Sequence, residues 1–277
     1  MRTFLSSLAG IGLIAVAMSA SAQDAKRSLT QVTDDIWRFD NNFHASFVVV
    51  TPEGAIVGDP INEGAASWLK SEISQRFGVP VTHMVMSHSH ADHASGGQVF
   101  EDATVYAHEN FQSALDAGKV STATPDVTFS DRHTFSVGEK TFELTYLGPG
   151  HGDDTIATVI RPDNVAVVVD VVSPRRLPYR TISTSSLDRL LDQIRTVESL
   201  DFDILLPGHS VNGVRQDATD MRVYLETLRE RVKAQLDAGN SSDDIIASLE
   251  MPEYKHWGAY DTWLRLNVEG MIRLVGE

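Results

Sequence analysis

The most constraining feature of this chain is the run Ser87-His88-Ser89-His90-Ala91-Asp92-His93, which follows directly on a β-like segment from Val81 to Met86. Three histidines and an aspartate fall within six positions, a density that points to metal ligation. In a tight loop His88 and His90 can point the same way, while Asp92 and His93 turn toward a second point nearby. Gly96 and Gly97 let the backbone turn beneath such a site.

Two further histidines occupy comparable positions. His151 lies in Gly148-Pro149-Gly150-His151-Gly152-Asp153-Asp154, a glycine-rich loop between two strand-like runs. His209 lies in Leu206-Pro207-Gly208-His209, directly after the apolar pair Ile204-Leu205. A lone loop histidine is more often a solvated side chain, but two at strand ends beside glycine, in a chain already holding a cluster, read as ligands. Asp170 ends the apolar run Val165 to Val169. A carboxylate emerging from a buried strand must be paired or metal-bound, because an isolated buried charge is costly.

Composition narrows the chemistry. The 277 residues contain no cysteine, so any metal must take nitrogen and oxygen ligands. A formal net charge of −15 opposes the binding of phosphate backbones, and no nucleic-acid partner is expected. Residues 1–22 read as a cleaved signal peptide: Arg2 is basic, Phe4 to Met18 is apolar, and Ala20-Ser21-Ala22 matches a cleavage site. Export to the periplasm or beyond is expected, with no membrane span left after cleavage.

From residue 23 to 277 a single domain is expected. Ile36 to Phe39, Ser46 to Val50, Gly54 to Val57, Val81 to Met86, Ala103 to Ala107 and Val127 to Phe129 read as strands. Ala65 to Phe77 reads as a helix, with Trp68, Leu69, Ile73 and Phe77 on one face, and Glu109 to Ala117 as a shorter one. The second half repeats the alternation, with strands at His133 to Val137, Thr141 to Leu147, Thr155 to Ile160, Val165 to Val169 and Asp203 to Leu206. Helices are expected at Leu187 to Leu200, Asp217 to Ala238, Ser241 to Leu249 and Tyr254 to Val275, the last rich in aromatic residues. Strand-rich stretches followed by helix, occurring twice, suit two packed β-sheets with helices outside. His44, His83, His108, His133 and His256 have no ligand context and read as structural.

The order H-x-H-x-D-H, then G-x-G-H, then an aspartate ending a strand, then G-H, resembles the metallo-β-lactamase superfamily. The resemblance implies an α+β fold, a four-layer αββα sandwich, and a binuclear metal-dependent hydrolase. It implies that His88, His90 and His151 hold one divalent ion, that Asp92, His93 and His209 hold the second, and that Asp170 bridges them. Asp59, in Val57-Gly58-Asp59-Pro60, matches a family aspartate that supports the ligand loop; a plain turn is the alternative. Zinc is the metal expected from a histidine-rich site, with iron or manganese tolerated by a bridging carboxylate. Two such ions can share a water and lower its pKa toward about 7 for attack on a carbonyl carbon. Asp92 would in addition steer that water or shuttle a proton.

The substrate is less constrained. Many β-lactamases of the superfamily carry cysteine or serine where this chain has Asp170, and a lysine three residues on, where this chain has Ser173. Aspartate there resembles the glyoxalase II, lactonase and phosphodiesterase branches. Phe43 in Asn41-Asn42-Phe43-His44, and Arg175, Arg176 and Tyr179 in the segment Ser173 to Ser183, are read as substrate-binding; local packing of Phe43 and solvated loop charges at Arg175 and Arg176 are the alternatives. The three arginines of that segment favour an anionic small molecule. The leading expectation is hydrolysis of a small cyclic amide or ester of β-lactam or lactone type. Thioester or phosphodiester hydrolysis is one alternative, and a non-catalytic exported metal-binding protein is another.

Overall fold

The computed structural model describes residues 25–276. The signal peptide expected over residues 1–22 lies outside them. The chain opens with strands β1 (Arg27–Gln31), β2 (Ile36–Asn41), β3 (His44–Thr51) and β4 (Gly54–Val57) in an antiparallel meander. Helix α1 (Glu63–Phe77) starts at Asn62, whose side chain accepts a hydrogen bond from Ala65 N, and stops at Gly78 in the left-handed conformation. β5 (Val81–Val85) leads into the short helix α2 (Ala91–Ala94), then β6 (Thr104–His108), α3 (Phe111–Asp116) and β7 (Val127–Phe129). β4 to β7 pair in parallel, each reached by a crossover.

The second sheet comprises β8 (Arg132–Val137), β9 (Lys140–Tyr146), β10 (Ile156–Arg161), β11 (Val165–Val168) and, after helix α4 (Leu187–Ser199), β12 (Ile204–Pro207). Its strand order is β12-β11-β10-β9-β8, antiparallel except for the β11–β12 pair that α4 separates in sequence. Helices α5 (Gln216–Asp237), α6 (Ser242–Ser248) and α7 (Tyr260–Gly276) complete the chain.

Three apolar layers hold these elements together. Ile36, Phe47, Val49, Phe142, Ile160 and Val165, from both sheets, form the central one. Phe39, Val57, Leu69, Ile73 and Phe111 pack α1 and α3 on the seven-stranded sheet. Leu191, Ile194, Leu205, Tyr224, Leu228 and Val268 pack α4, α5 and α7 on the other sheet. The order is helix, sheet, sheet, helix: an α+β fold in four layers. Burying each large apolar side chain contributes about 1.5–3 kcal/mol.

The structure departs from the sequence reading at two places. β1 has no strong strand signal, since Leu29 is its one large apolar residue, and it survives as an edge strand paired with β2. The C-terminal helix begins at Tyr260 rather than Tyr254. Residues 252–254 form one 3₁₀ turn, and the backbone of Gly258 is taken up by the segment before α4: Leu177 N donates to Gly258 O, and Gly258 N donates to Arg175 O. Ala259 then turns through a left-handed φ of 64° before the helix starts.

Lys140 closes the sandwich. Its ammonium lies 2.7 Å from Asp163 Oδ2 and 2.8 Å from Asp35 Oδ2, joining the β10–β11 turn to the turn before β2. Burial pulls the Lys140 pKa down, but the hydrogen bonds to Asp163 and Asp35 outweigh it and the net shift is upward. Burial likewise raises Asp163, yet Lys140 and Thr33 bring it below its ordinary value. Asp163 therefore contributes stability above its ordinary pKa of 3.8, lost as pH falls through the lower folded value. Lys140 contributes below 10.5, lost as pH rises through its higher folded value. Lys140→Ala should cost about 2–3 kcal/mol of unfolding free energy, less than a fully buried pair because Asp35 is only half-buried. Urea denaturation across pH should show that deficit flat near neutrality and shrinking toward both extremes.

Candidate metal centre

The candidate residues gather where the strands of both sheets end. His88 and His90 follow β5, and Asp92 and His93 sit on α2. His151 is in the β9–β10 loop, Asp170 follows β11 and His209 follows β12. Two main-chain hydrogen bonds lock the sheets together at this edge: Ala45 N donates to Gly208 O at 2.7 Å, and Ile156 N donates to Ser87 O at 2.9 Å.

Two groups of potential ligand atoms result, each with its atoms within 4.8 Å of one another: His88, His90, His151 and Asp170 form one, and His44, Asp92, His93 and His209 the other. The Asp170 carboxylate stands between them. Its Oδ2 is 3.3 Å from His93 Nε2, 3.4 Å from His151 Nε2 and 3.8 Å from His88 Nε2, while its Oδ1 is 3.3 Å from His209 Nε2. Asp170 holds a left-handed φ of 63°, unusual for a residue other than glycine. Such strain persists where the surroundings over-determine it, and it clusters at functional sites.

The surrounding residues fix which ring nitrogens face inward. His88 Nδ1 is 2.8 Å from Ser87 Oγ, which donates to Asp59 Oδ2 at 2.6 Å; Ser87 N donates to Asp59 Oδ1 at 2.7 Å. Asp59 Oδ2 also lies 3.7 Å from His93 Nδ1. One buried carboxylate thus supports a histidine from each group. His209 Nδ1 donates to Phe43 O at 2.8 Å, which leaves Nε2 facing Asp170. The Gly148–His151 loop is held by Gln193 of α4, fully buried: His151 N donates to Gln193 Oε1, and Gln193 Nε2 donates to Gly148 O. A Cβ on Gly150 would stand 2.4 Å from Gln193 Oε1, and one on Gly208 would stand 2.9 Å from both Asp170 Oδ1 and His93 Cε1. Glycine at these two positions is a condition of the close approach.

Electrostatics follow from this crowding. Burial drives His88 well below its ordinary pKa, and burial likewise lowers His90 and His209, so these rings are held neutral. Burial also works against charge on His93, but Asp170, Asp59 and Asp92 overcome it and push His93 up to about 9. Asp170 is opposed by burial too, yet His93 and its other histidine neighbours hold it well below the carboxylate range. Burial outweighs His93 and Ser87 at Asp59, whose pKa rises. Asp92 is held well down, first by its hydrogen bond with His44.

The residues fit a divalent metal. His88 Nε2 and Asp170 Oδ1 are buried without a hydrogen-bond partner, a costly arrangement unless a ligand satisfies them. The nitrogens of His90 and His151 face each other at 3.0 Å, as do those of His93 and His209. Nitrogen and carboxylate oxygen are the donor set that zinc and similar ions take.

The site opens into a cavity of about 570 Å³. Phe43 and Tyr179 line it while remaining largely exposed, at 81% and 57%. Arg176 also lines it, over the ring of Trp263 and with Nη1 donating to His209 O. Arg175, expected beside it, instead borders a neighbouring groove and donates to Asn212 O at 3.3 Å. Its left-handed φ of 53° sends consecutive arginines in different directions.

Sequence reasoning missed His44 and Gln193. His44 read as structural, but its Nε2 lies 3.3 Å from Asp92 Oδ2 and its ring packs edge-on against His209. Its one sequence signal was adjacency to Phe43. His83 and His133 stack among Tyr106 and Phe135, and His108 stacks on Tyr146.

Comparison with known proteins gives the same answer from a separate direction. The family model of the metallo-β-lactamase superfamily matches residues 40–209. The chain is 31% identical over 122 residues to a type 2 metallo-β-lactamase of Elizabethkingia meningoseptica, covering 43% of this chain and 48% of that protein. It is 23% identical over 149 residues to another of Bacteroides fragilis, covering 50% and 59%. The chain thus spans about half the length of the curated relatives it matches. A metallo-β-lactamase from Pontibacter korlensis superposes with a TM-score of 0.64 at 21% identity, over 73% of this chain and 99% of that one. One from Pseudomonas aeruginosa, in a mono-zinc form, gives 0.62 at 16% identity, over 73% and 95%. At these identities the structural likeness shows the fold. With the family model matched across more than half its length, and with the ordered histidines and aspartates at one edge of the sandwich, the chain belongs to the metallo-β-lactamase superfamily.

Proposed function

We propose that this protein is a binuclear metal-dependent hydrolase acting on a small cyclic amide or ester, of β-lactam or lactone type. The observation that carries this reading is the Asp170 carboxylate standing between two ligand groups at the floor of a cavity. His88, His90 and His151 would hold one ion, and Asp92, His93 and His209 the other, with Asp170 shared; zinc suits these donors best. When bound, such ions supply Lewis acidity toward a carbonyl oxygen and an acidified water.

The chain's own residues do the rest. Asp59, through Ser87, and Phe43 O hold the tautomers of His88 and His209, so each presents Nε2 inward. His44 fixes the half-exposed Asp92 carboxylate, which stays ionised and can accept a hydrogen bond from an attacking water. Arg176 places a guanidinium at the cavity wall near His209, where it can meet a carboxylate or carbonyl of the substrate. Phe43 and Tyr179 flank the opening and cover apolar parts of a bound molecule.

The metal-reconstituted protein should hydrolyse a chromogenic cephalosporin or an acyl lactone, with the rate abolished by a chelator and restored by zinc. A glutathione thioester belongs on the same panel, because aspartate at position 170 also suits thioester cleavage. A faster thioester rate would replace the proposed substrate class, and flat traces on all three would end the hydrolase reading.

Metal analysis by mass spectrometry should find two ions per chain. Asp170→Ala should lose both, because it removes the shared ligand. Gln193→Ala should weaken metal binding by about 10–100-fold with folding retained, the usual effect of losing a partner that orients a ligand. Unchanged affinity in Gln193→Ala would mean the His151 loop holds its shape without α4.

Export is proposed from the sequence of residues 1–22 alone. Among the described residues no helix is long and apolar enough to cross a membrane. N-terminal sequencing of the protein from a Gram-negative host's periplasm should begin at Gln23; retention of Met1 there would refute cleavage.

A further inference from the structure

The floor of the cavity is polar, but its outer wall is not. Leu177, Ile182, Leu190, Met221, Leu225 and Trp263 all line it, the first five of them buried. Three of these lie past residue 209, where the family match ends: Met221 and Leu225 on α5, and Trp263 on α7. Half of the wall is therefore supplied by helices beyond the matched residues. Among the described residues lining the cavity, Arg176 is the one charged group outside the ligand set and His44. Its guanidinium sits 4.6 Å over Trp263 and donates to His209 O, at the border between floor and wall.

The wall is held firmly. Asn267 of α7 is fully buried, donates to Pro178 O at 2.9 Å and accepts from Tyr224 of α5 at 2.8 Å. That pins the 173–183 segment, α5 and α7 together around the opening. Tyr179 packs edge-on against Trp263, with ring centroids 5.1 Å apart.

A cavity of about 570 Å³ matches the range of about 300–1,000 Å³ that encloses whole ligands. A small ring at the metal floor would leave most of that apolar-lined volume unfilled. We propose that the substrate carries an extended apolar arm, alkyl or aryl, on the reacting carbonyl compound, and that Met221, Leu225 and Trp263 are its specificity determinants. The arm runs from the ligand groups past Arg176 along α5 and α7. The hydrolase reading supplies the reacting end, while the preference for an apolar arm is a property of the chamber itself.

The test separates the two. Straight-chain carboxylates from acetate to dodecanoate would be titrated into the mature, metal-loaded protein by calorimetry, with tryptophan emission as a second readout. Affinity should rise by about threefold to fourfold per methylene, the transfer free energy of that group, until the chamber is filled. Met221→Trp, which fills the chamber, should weaken dodecanoate at least tenfold and leave the short acids unchanged. Trp263→Ala, at a partly exposed position, should also flatten the series and guards against a folding defect in the first variant. A flat series in the parent protein, or an unchanged slope in both folded variants, overturns the proposal. Length-dependent binding without turnover of any panel substrate would remove the hydrolase reading and keep the chamber; turnover with a flat series would do the reverse.

Discussion

Everything at this site depends on a carboxylate being held where it is least comfortable. Asp170 leaves a buried strand, adopts a backbone conformation that favours glycine, and places both oxygens among histidine nitrogens at 3.3–3.8 Å. Burial alone would neutralise it; the surrounding imidazoles keep it charged. The opposing charge then props up His93 in turn. A cluster of this kind is stable only as a set, because removing one member leaves another buried without a partner.

The scaffold supplies that set by a division of labour. The seven-stranded sheet brings His88, His90, Asp92 and His93 on one loop and a short helix, steadied from beneath by Asp59. The five-stranded sheet brings His151, Asp170 and His209 on three separate strand ends. Neither sheet holds a complete group. The third contributor is the pair of C-terminal helices α5 and α7, whose Met221, Leu225 and Trp263 line the space beside them.

Much of this was legible because the informative residues sit at period breaks. Val165 to Val169 reads as a buried strand, so the charge ending it stands out, and the same logic works at His209 and His88. What escaped were contacts whose partners lie far apart in sequence. His44 reaches Asp92 across 48 positions, and Gln193 reaches His151 across 42. A histidine in a hairpin and a glutamine on an amphipathic helix carry no local mark of either role. The neighbours Arg175 and Arg176 parted company through a single backbone dihedral. Met221 and Leu225 sit at core spacing on α5 and are buried in the core, and helical periodicity does not reveal that they also border the cavity.

The split of ligands between two sheets has a consequence for how the protein comes to be. An ion can meet its full complement of donors only after both sheets have docked, so capture reports that the sandwich has closed. Bound metal then acts as a rivet through the interlayer, adding about 2.7 kcal/mol when free ion stands at a hundred times its dissociation constant. Unfolding would then have to proceed by surrendering the ion, so resistance to unfolding would rise and fall with the supply of metal.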